Sequence, residues 1–307
     1  MTPAPLRLDR RRFLNIASGL VAAGLLPARV LAFAGPTTLS VGSVGITVLS
    51  DGTLTLSVGV FAPDQDPAVL AALMGAVADG AVVAQATPVV IRDGAEVVLV
   101  DVGSGTGFQD TAGRLRENMA AAGIDTAEVT KVVFTHAHPD HLFGVAVNGA
   151  LICPNASYHM GRAEHGFWTN PDIFSLLPPD FHPFAQGAQA ALAAIGDRLA
   201  LFDAGEALTP NVTAIDTPGH TPGHVTIEVA GGDGAFVTGD VIPSSLVHFA
   251  NPDWGFGFDA DSALSAASRR MLLGRAAAEK KAMIGYHWPQ PVGMAEVDGD
   301  GFRFVPA

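Results

Sequence analysis

Apolar positions recur along this chain in two spacings. Residues 39–49 and 54–60 are rich in β-branched and apolar side chains around Asp51-Gly52, which predicts a hairpin. Residues 89–91 and 97–100 flank Arg92-Asp93-Gly94 and predict a second hairpin. Further short β-like runs lie at 131–134, 212–215, 224–229, 235–237, 283–285 and 302–305. Helical spacing appears at 66–78, at 110–122 with Gly123 closing it, at 184–195 and at 261–279. Residues 171–183, rich in Pro and Phe, read as a loop. Strands and helices alternate behind an opening of hairpins. That order predicts an α/β chain in which stacked sheets are covered by helices. No repeat of fixed period and no low-complexity linker divides it, so residues 35–307 read as one domain.

The N-terminus departs from this pattern. Arg10-Arg11-Arg12-Phe13-Leu14 precedes an uncharged run at 16–26, and Ala32-Phe33-Ala34 offers small residues at a cleavage spacing. The apolar run is too short to cross a bilayer as a helix, so no stable membrane anchor is expected. Residues 1–34 resemble a twin-arginine signal peptide, which implies the Tat export machinery as a partner and a periplasmic or secreted location.

Composition narrows the classes. With 49% hydrophobic and 15% charged residues, the chain can bury a core and is not disordered. A net charge of −13 argues against nucleic acid as a partner, because phosphates call for clustered Lys and Arg. One cysteine, Cys153, excludes an intrachain disulfide. A homodimer is compatible with the sequence and not specified by it.

The chemistry lies in the histidines. Thr135-His136-Ala137-His138-Pro139-Asp140-His141 sets four ligand-type side chains directly after a predicted strand. His136 and His138 point the same way while the backbone is extended. Asp140 and His141, past the stiffening Pro139, address a different point. Two metal positions can therefore be fed from one loop. His220 and His224 lie in Thr-Pro-Gly-His-Thr-Pro-Gly-His, Asp240 follows Thr238-Gly239, and His287 follows Gly285-Tyr286. Imidazole and carboxylate suit zinc, while iron and manganese fit the same donors.

The full His-x-His-x-Asp-His run, with the three later elements in order, resembles the metallo-β-lactamase superfamily. So does Val98-Leu99-Val100-Asp101-Val102-Gly103, an early strand ending in Asp and a glycine turn. The resemblance spans nearly all of residues 38–307 and implies a four-layer αβ/βα sandwich. It implies that His136, His138 and His220 hold one zinc, that Asp140, His141 and His287 hold the other, and that Asp240 bridges them. His224 is expected to support the site rather than ligate, and Asp101 either orients a ligand histidine or serves as a strand-end turn residue. The implied reaction is hydrolysis by a metal-bridging hydroxide, with Asp140 and Asp240 as the catalytic carboxylates.

Which bond is cleaved is less specified. The Bacillus-type acyl-homoserine lactonases carry a tyrosine three residues after the bridging Asp, where this chain has Pro243. Glu164-His165-Gly166-Phe167-Trp168, residues 248–254, Phe258-Asp259-Ala260-Asp261 and the stretch from Tyr286 to Gly293 resemble the methyl parathion hydrolase group. That likeness implies lactones or aryl carboxylic esters as substrates, with aryl phosphotriesters alongside. Trp168, Phe174, Phe181 and Phe249, with Phe184, are expected to line an apolar pocket; each is equally open to a core role. A β-lactam hydrolase, an iron-dependent oxidoreductase and a non-catalytic metal-binding protein stay open as alternatives.

Overall fold

The structure, a computed structural model, describes residues 35–75 and 80–307. The export segment lies outside the described residues.

The strands of the first half are β1 (Thr37–Val41), β2 (Val44–Val48), β3 (Gly52–Ser57), β4 (Ala81–Ala86), β5 (Val89–Asp93), β6 (Glu96–Val100) and β7 (Lys131–Phe134). They continue with β8 (Ala146–Val147), β9 (Ala150–Leu151), β10 (Ser157–Gly161) and β11 (Leu199–Phe202). The second half supplies β12 (Ala207–Thr209), β13 (Val212–Asp216), β14 (Val225–Val229), β15 (Ala235–Val237), β16 (Ala282–Ile284), β17 (Val292–Asp298) and β18 (Gly301–Pro306). Among the described residues the helices are α1 (Pro67–Met74), α2 (Leu115–Ala121), α3 (Pro139–Leu142), α4 (Arg162–Trp168), α5 (Ile173–Leu176), α6 (His182–Ile195) and α7 (Ser262–Glu279). No helix among them is long and apolar enough to cross a membrane.

Two seven-stranded sheets result, ordered β1-β2-β5-β6-β7-β10-β11 and β12 through β18 in sequence, with β3-β4 and β8-β9 as separate hairpins. The strand pattern explains the layering. Alternate residues of a strand face opposite sides. In β6 and β7, Val98, Val100 and Val133 meet Ala214, Val225, Ile227 and Val237 of the second sheet. Their neighbours Leu99, Val132 and Phe134 face the other way, onto Leu115 and Met119 of α2 and Ala185 and Leu192 of α6. On the second sheet, Phe236 and Met283 turn outward onto Leu272, Leu273 and Ala276 of α7. Strands buried on both faces read as continuous apolar runs, as these do. The order helix, sheet, sheet, helix is the four-layer αβ/βα sandwich.

Three expected elements differ. The hairpin expected at Asp51-Gly52 does not form: β2 pairs with β5 and β3 with β4, and the first tight turn falls between β1 and β2. Asp51 is buried instead, accepting bonds from the Ser104, Gly113 and Leu115 amides, so it fixes the start of α2. That helix begins at Leu115 rather than 110, because the preceding residues wrap this carboxylate. The expected loop at 171–183 contains α5 and a short 3-10 turn at Pro179–Phe181 before α6.

Candidate metal centre

Topology brings the chemistry to one edge. β6, β7 and β10 run parallel, as do β15 and β16, so the loops after β6, β7, β15 and β16 leave through their C-terminal ends. β14 runs antiparallel to β15, so the loop entering it opens at that same edge. These loops carry Asp101, the run from His136 to His141, Asp240, His287 and His220, respectively. All seven expected ligands are buried.

They fall into adjoining groups whose ligand atoms lie within 4.8 Å of one another: His136, His138 and His220; His136, His141 and Asp240; and Asp140, His141 and His287. Asp240 sits between the outer groups. Its Oδ2 is 3.4 Å from His220 Nε2 and 3.2 Å from His287 Nε2, and its Oδ1 is 3.3 Å from His141 Nε2. Asp140 Oδ2 is 3.5 Å from His141 Nε2 and 3.4 Å from His287 Nε2.

The donor set fits two cations. His136 Nε2, His141 Nε2, Asp140 Oδ2 and Asp240 Oδ1 are buried with no hydrogen-bond partner. An unsatisfied buried polar atom costs about 1–3 kcal/mol, more for a charged group, and four gathered in adjoining groups would be expensive without ligands. Nitrogen and carboxylate oxygen donors of this kind suit zinc and its first-row neighbours.

The surrounding contacts fix which ring nitrogen faces inward. His287 Nδ1 lies 2.7 Å from the Gln85 carbonyl, which only accepts, so Nδ1 carries a proton and Nε2 is the nitrogen turned inward, toward Asp240. His141 Nδ1 donates to Asp101 Oδ2 at 2.7 Å. His220 Nδ1 faces Asp259 Oδ1 at 3.1 Å. His138 differs, since its Nδ1 is the nitrogen 2.9 Å from His220 Nε2. Asp101 therefore orients a ligand histidine. It does so from a left-handed backbone (φ 59), held by its amide on Val133 and by Thr135, which donates through both N and Oγ1. A non-glycine residue at positive φ costs free energy and persists where its surroundings over-determine it.

His224 lies outside the donor set. Its Nε2 accepts the Asp240 amide at 2.9 Å, and its Nδ1 donates to Thr217 Oγ1. It positions the backbone of the central carboxylate. Gly239 has φ +54, and a Cβ there would sit 2.6 Å from His224 Nε2, so glycine is required for this approach.

Electrostatics divide the histidines. Burial, reinforced by neighbouring histidines, holds His136 and His138 well below the ordinary imidazole range. Burial opposes the charged form of His141 too, yet Asp240, Asp140 and Asp101 lift it well above that range. Burial also opposes ionisation of Asp240, and His287 and His141 overcome it, lowering Asp240 well below the carboxylate range.

The expected aromatic lining is partly corrected. Phe249 packs on the outer face of the second sheet, 5.2 Å from the Trp288 ring and 5.1 Å from that of Phe304, and does not reach the site. Trp168 is core: it is buried, its ring stands 5.8 Å behind His138, and its Nε1 donates to Glu164. Phe174 is an exposed ring against His182. Phe181 belongs to a half-buried cluster with Phe184 and Phe258, and Phe184 also meets His138 at 5.8 Å. Phe108 joins this cluster through Phe184, and Phe256 through Phe258, without having been singled out in the sequence. Sequence reasoning also gave no role to Asp259 or Gln85. Asp259 accepts the Phe256 amide and lies 3.6 Å from the buried Arg269 guanidinium.

Comparison with known proteins agrees with this geometry. N-acyl homoserine lactonase AttM of Agrobacterium fabrum is 32% identical over 112 residues, covering 35% of this chain and 38% of that protein. AttM of Azorhizobium caulinodans is 32% identical over 108 residues, covering 34% of this chain and 37% of that protein. The aligned stretch thus spans just over a third of these curated relatives. The solved structure of AidC, described as a dizinc quorum-quenching lactonase in complex with a product, aligns with TM-score 0.82 and 28% identity, covering 89% of this chain and 97% of that one. The hydrolase AbOPH aligns with TM-score 0.83 and 25% identity, covering 89% of this chain and 98% of that one. The profile of the metallo-beta-lactamase superfamily matches residues 82–287, from β4 to the last of the converging histidines, and the chain belongs to that superfamily.

Proposed function

We propose that the protein is an exported binuclear metallohydrolase that opens lactones, with aryl carboxylic esters and aryl phosphotriesters as further substrates. The observation that carries this is the convergence of buried, unpartnered His and Asp atoms beside a half-buried aromatic cluster. Two divalent ions, zinc first, would supply a nucleophilic oxygen to attack the acyl carbon or phosphorus and a Lewis acid to polarise the carbonyl or phosphoryl oxygen. Asp140 and Asp240 would hold those ions together with His141 and His287, whose Nε2 atoms lie 3.2–3.5 Å from their carboxylate oxygens. Phe181, Phe184 and Phe258 would hold an acyl chain or aryl group and exclude water. AttM and AidC, both lactonases by name, support the lactone reading.

A second reading, a preference for aryl esters, is favoured by the tyrosines. The chain has two. Tyr158 donates to the Cys153 carbonyl and Tyr286 to the Asp140 carbonyl, so neither phenol is free to protonate a leaving group. General acid catalysis is typically worth about 10²–10⁴-fold, so leaving groups that depart as anions should gain. The test is a panel of N-hexanoyl homoserine lactone, γ-lactones, aryl acetates of graded phenol pKa and a penicillin on the zinc-loaded enzyme. Lactone opening with a steep aryl-acetate series is expected. Turnover of the penicillin alone would overturn the substrate class.

A further inference from the structure

Glu164 lies at the start of α4 and is wholly buried, yet no charged group is among its hydrogen-bond partners. Its Oε1 accepts the Ala137 amide at 2.9 Å and Trp168 Nε1 at 2.7 Å. Its Oε2 accepts Thr221 Oγ1 at 2.7 Å and the Gly223 amide at 3.1 Å. Ala137 stands between His136 and His138, and Thr221 and Gly223 follow His220. Trp168, the fourth donor, is the ring behind His138. The carboxylate therefore ties together the two loops that carry His136, His138 and His220, and bonds to nothing on Asp140, His141 or His287. The approach is close by construction, since a Cβ on Gly223 would lie 2.0 Å from the Glu164 amide nitrogen.

A carboxylate buried among neutral donors is costly where only bracing is needed, because several kcal/mol of desolvation must be offset. A neutral side chain could brace the loops; a charge is useful where a cation sits a few ångströms beyond them. We propose that Glu164 is a positioning residue for the first metal position, holding its three histidines in ligating geometry and adding negative charge behind them, while leaving the second position untouched. This rests on the binuclear reading above.

Glu164→Gln keeps the shape, removes the charge and turns an amide NH₂ toward groups that themselves donate. The experiment is equilibrium zinc titration of the metal-free protein by calorimetry, with elemental analysis and thermal unfolding of the metal-free form. Asp140→Asn identifies which binding step belongs to the second position. Partners one shell away from a metal typically set affinity by about 10–100-fold. The expected result is such a loss in the first-position step of E164Q with the other step unchanged, beside a lower metal-free unfolding temperature, because the buried amide faces donors. Thr221→Val, which removes one donor and keeps the charge, should lower the same step by less, and it carries the test should E164Q fail to fold. Unaltered affinities at both steps, or an equal loss at both, would overturn the proposal. A wild-type protein that binds neither zinc nor iron nor manganese would overturn the metallohydrolase itself.

Discussion

At the scale of single residues, Asp240 has the greatest consequence. Its carboxylate stands within 3.9 Å of histidines from both outer groups. Changing it to Asn keeps the volume and removes the charge that both positions share. Metal content measured by elemental analysis should fall below two ions per chain. The loss of kcat/KM should exceed the about 100-fold typical of an outer-shell partner, because Asp240 is itself a donor. His224 makes a prediction about pH. Burial and the nearby His220 depress it from 6.5 to about 3. A histidine held neutral in the fold binds fewer protons than the unfolded chain below pH 6.5, so its contribution to stability is complete above 6.5 and is lost as pH falls toward 3. His224→Asn should therefore flatten the stability–pH curve across that window, read by urea unfolding of the metal-free protein at steps of pH. An unchanged slope would show that His224 does not titrate there.

At the scale of elements, the site depends on strands and a helix that never touch a ligand. Ile227 of β14 is fully buried between the two sheets, and the chain entering this strand holds His220 and His224. Ile227→Ala should cost about 2–5 kcal/mol by removing buried methyl groups and leaving a cavity, measured by chemical denaturation. Helix α7 holds the other side. It starts at Asp261, whose carboxylate caps the Leu264 amide, and it carries Arg269, buried against the Val241, Pro252 and Trp254 carbonyls. Arg269 thereby fixes the segment after Asp240 and, through Asp259, backs His220. Removing one partner of a buried ion pair typically costs about 3–5 kcal/mol. Arg269→Met should lose stability on that order and weaken metal binding along with it, checked by denaturation and zinc titration together.

At the scale of the whole molecule, metal and fold are linked. Ions that bind only the folded chain stabilise it by RT ln(1 + [L]/Kd), about 2.7 kcal/mol at a hundredfold excess over Kd. Chelation should lower the unfolding temperature, and added zinc should restore it. Export belongs to this scale as well. If the arginine pair addresses the chain to the twin-arginine route, replacing Arg10 and Arg11 by Lys should trap the protein inside the cell, followed by fractionation and blotting. Secretion at the normal level would count against that route.

Much of this could be read from sequence because it is local. The strand at 131–134, the helix at 261–279 and the ligand run from His136 to His141 each depend on neighbours along the chain, where side-chain period and turn chemistry act directly. What no local pattern encodes is which segment meets which. Asp51-Gly52 has the composition of a hairpin turn, but the buried Asp51 carboxylate is satisfied by amides more than fifty residues away. Phe249 reads as pocket and Phe108 as nothing in particular; their roles follow from which loop folds over which sheet face. Glu164 and Trp168, four apart on one helix face, carry a hint of partnership, yet only the fold brings Ala137, Thr221 and Gly223 to the same carboxylate. The sequence by itself determined the donors and the strands that precede them. The tertiary structure decided their geometry, because hydrogen bonds between distant loops, not the identity of the histidines, set which nitrogen faces the metal and how the two positions are held apart.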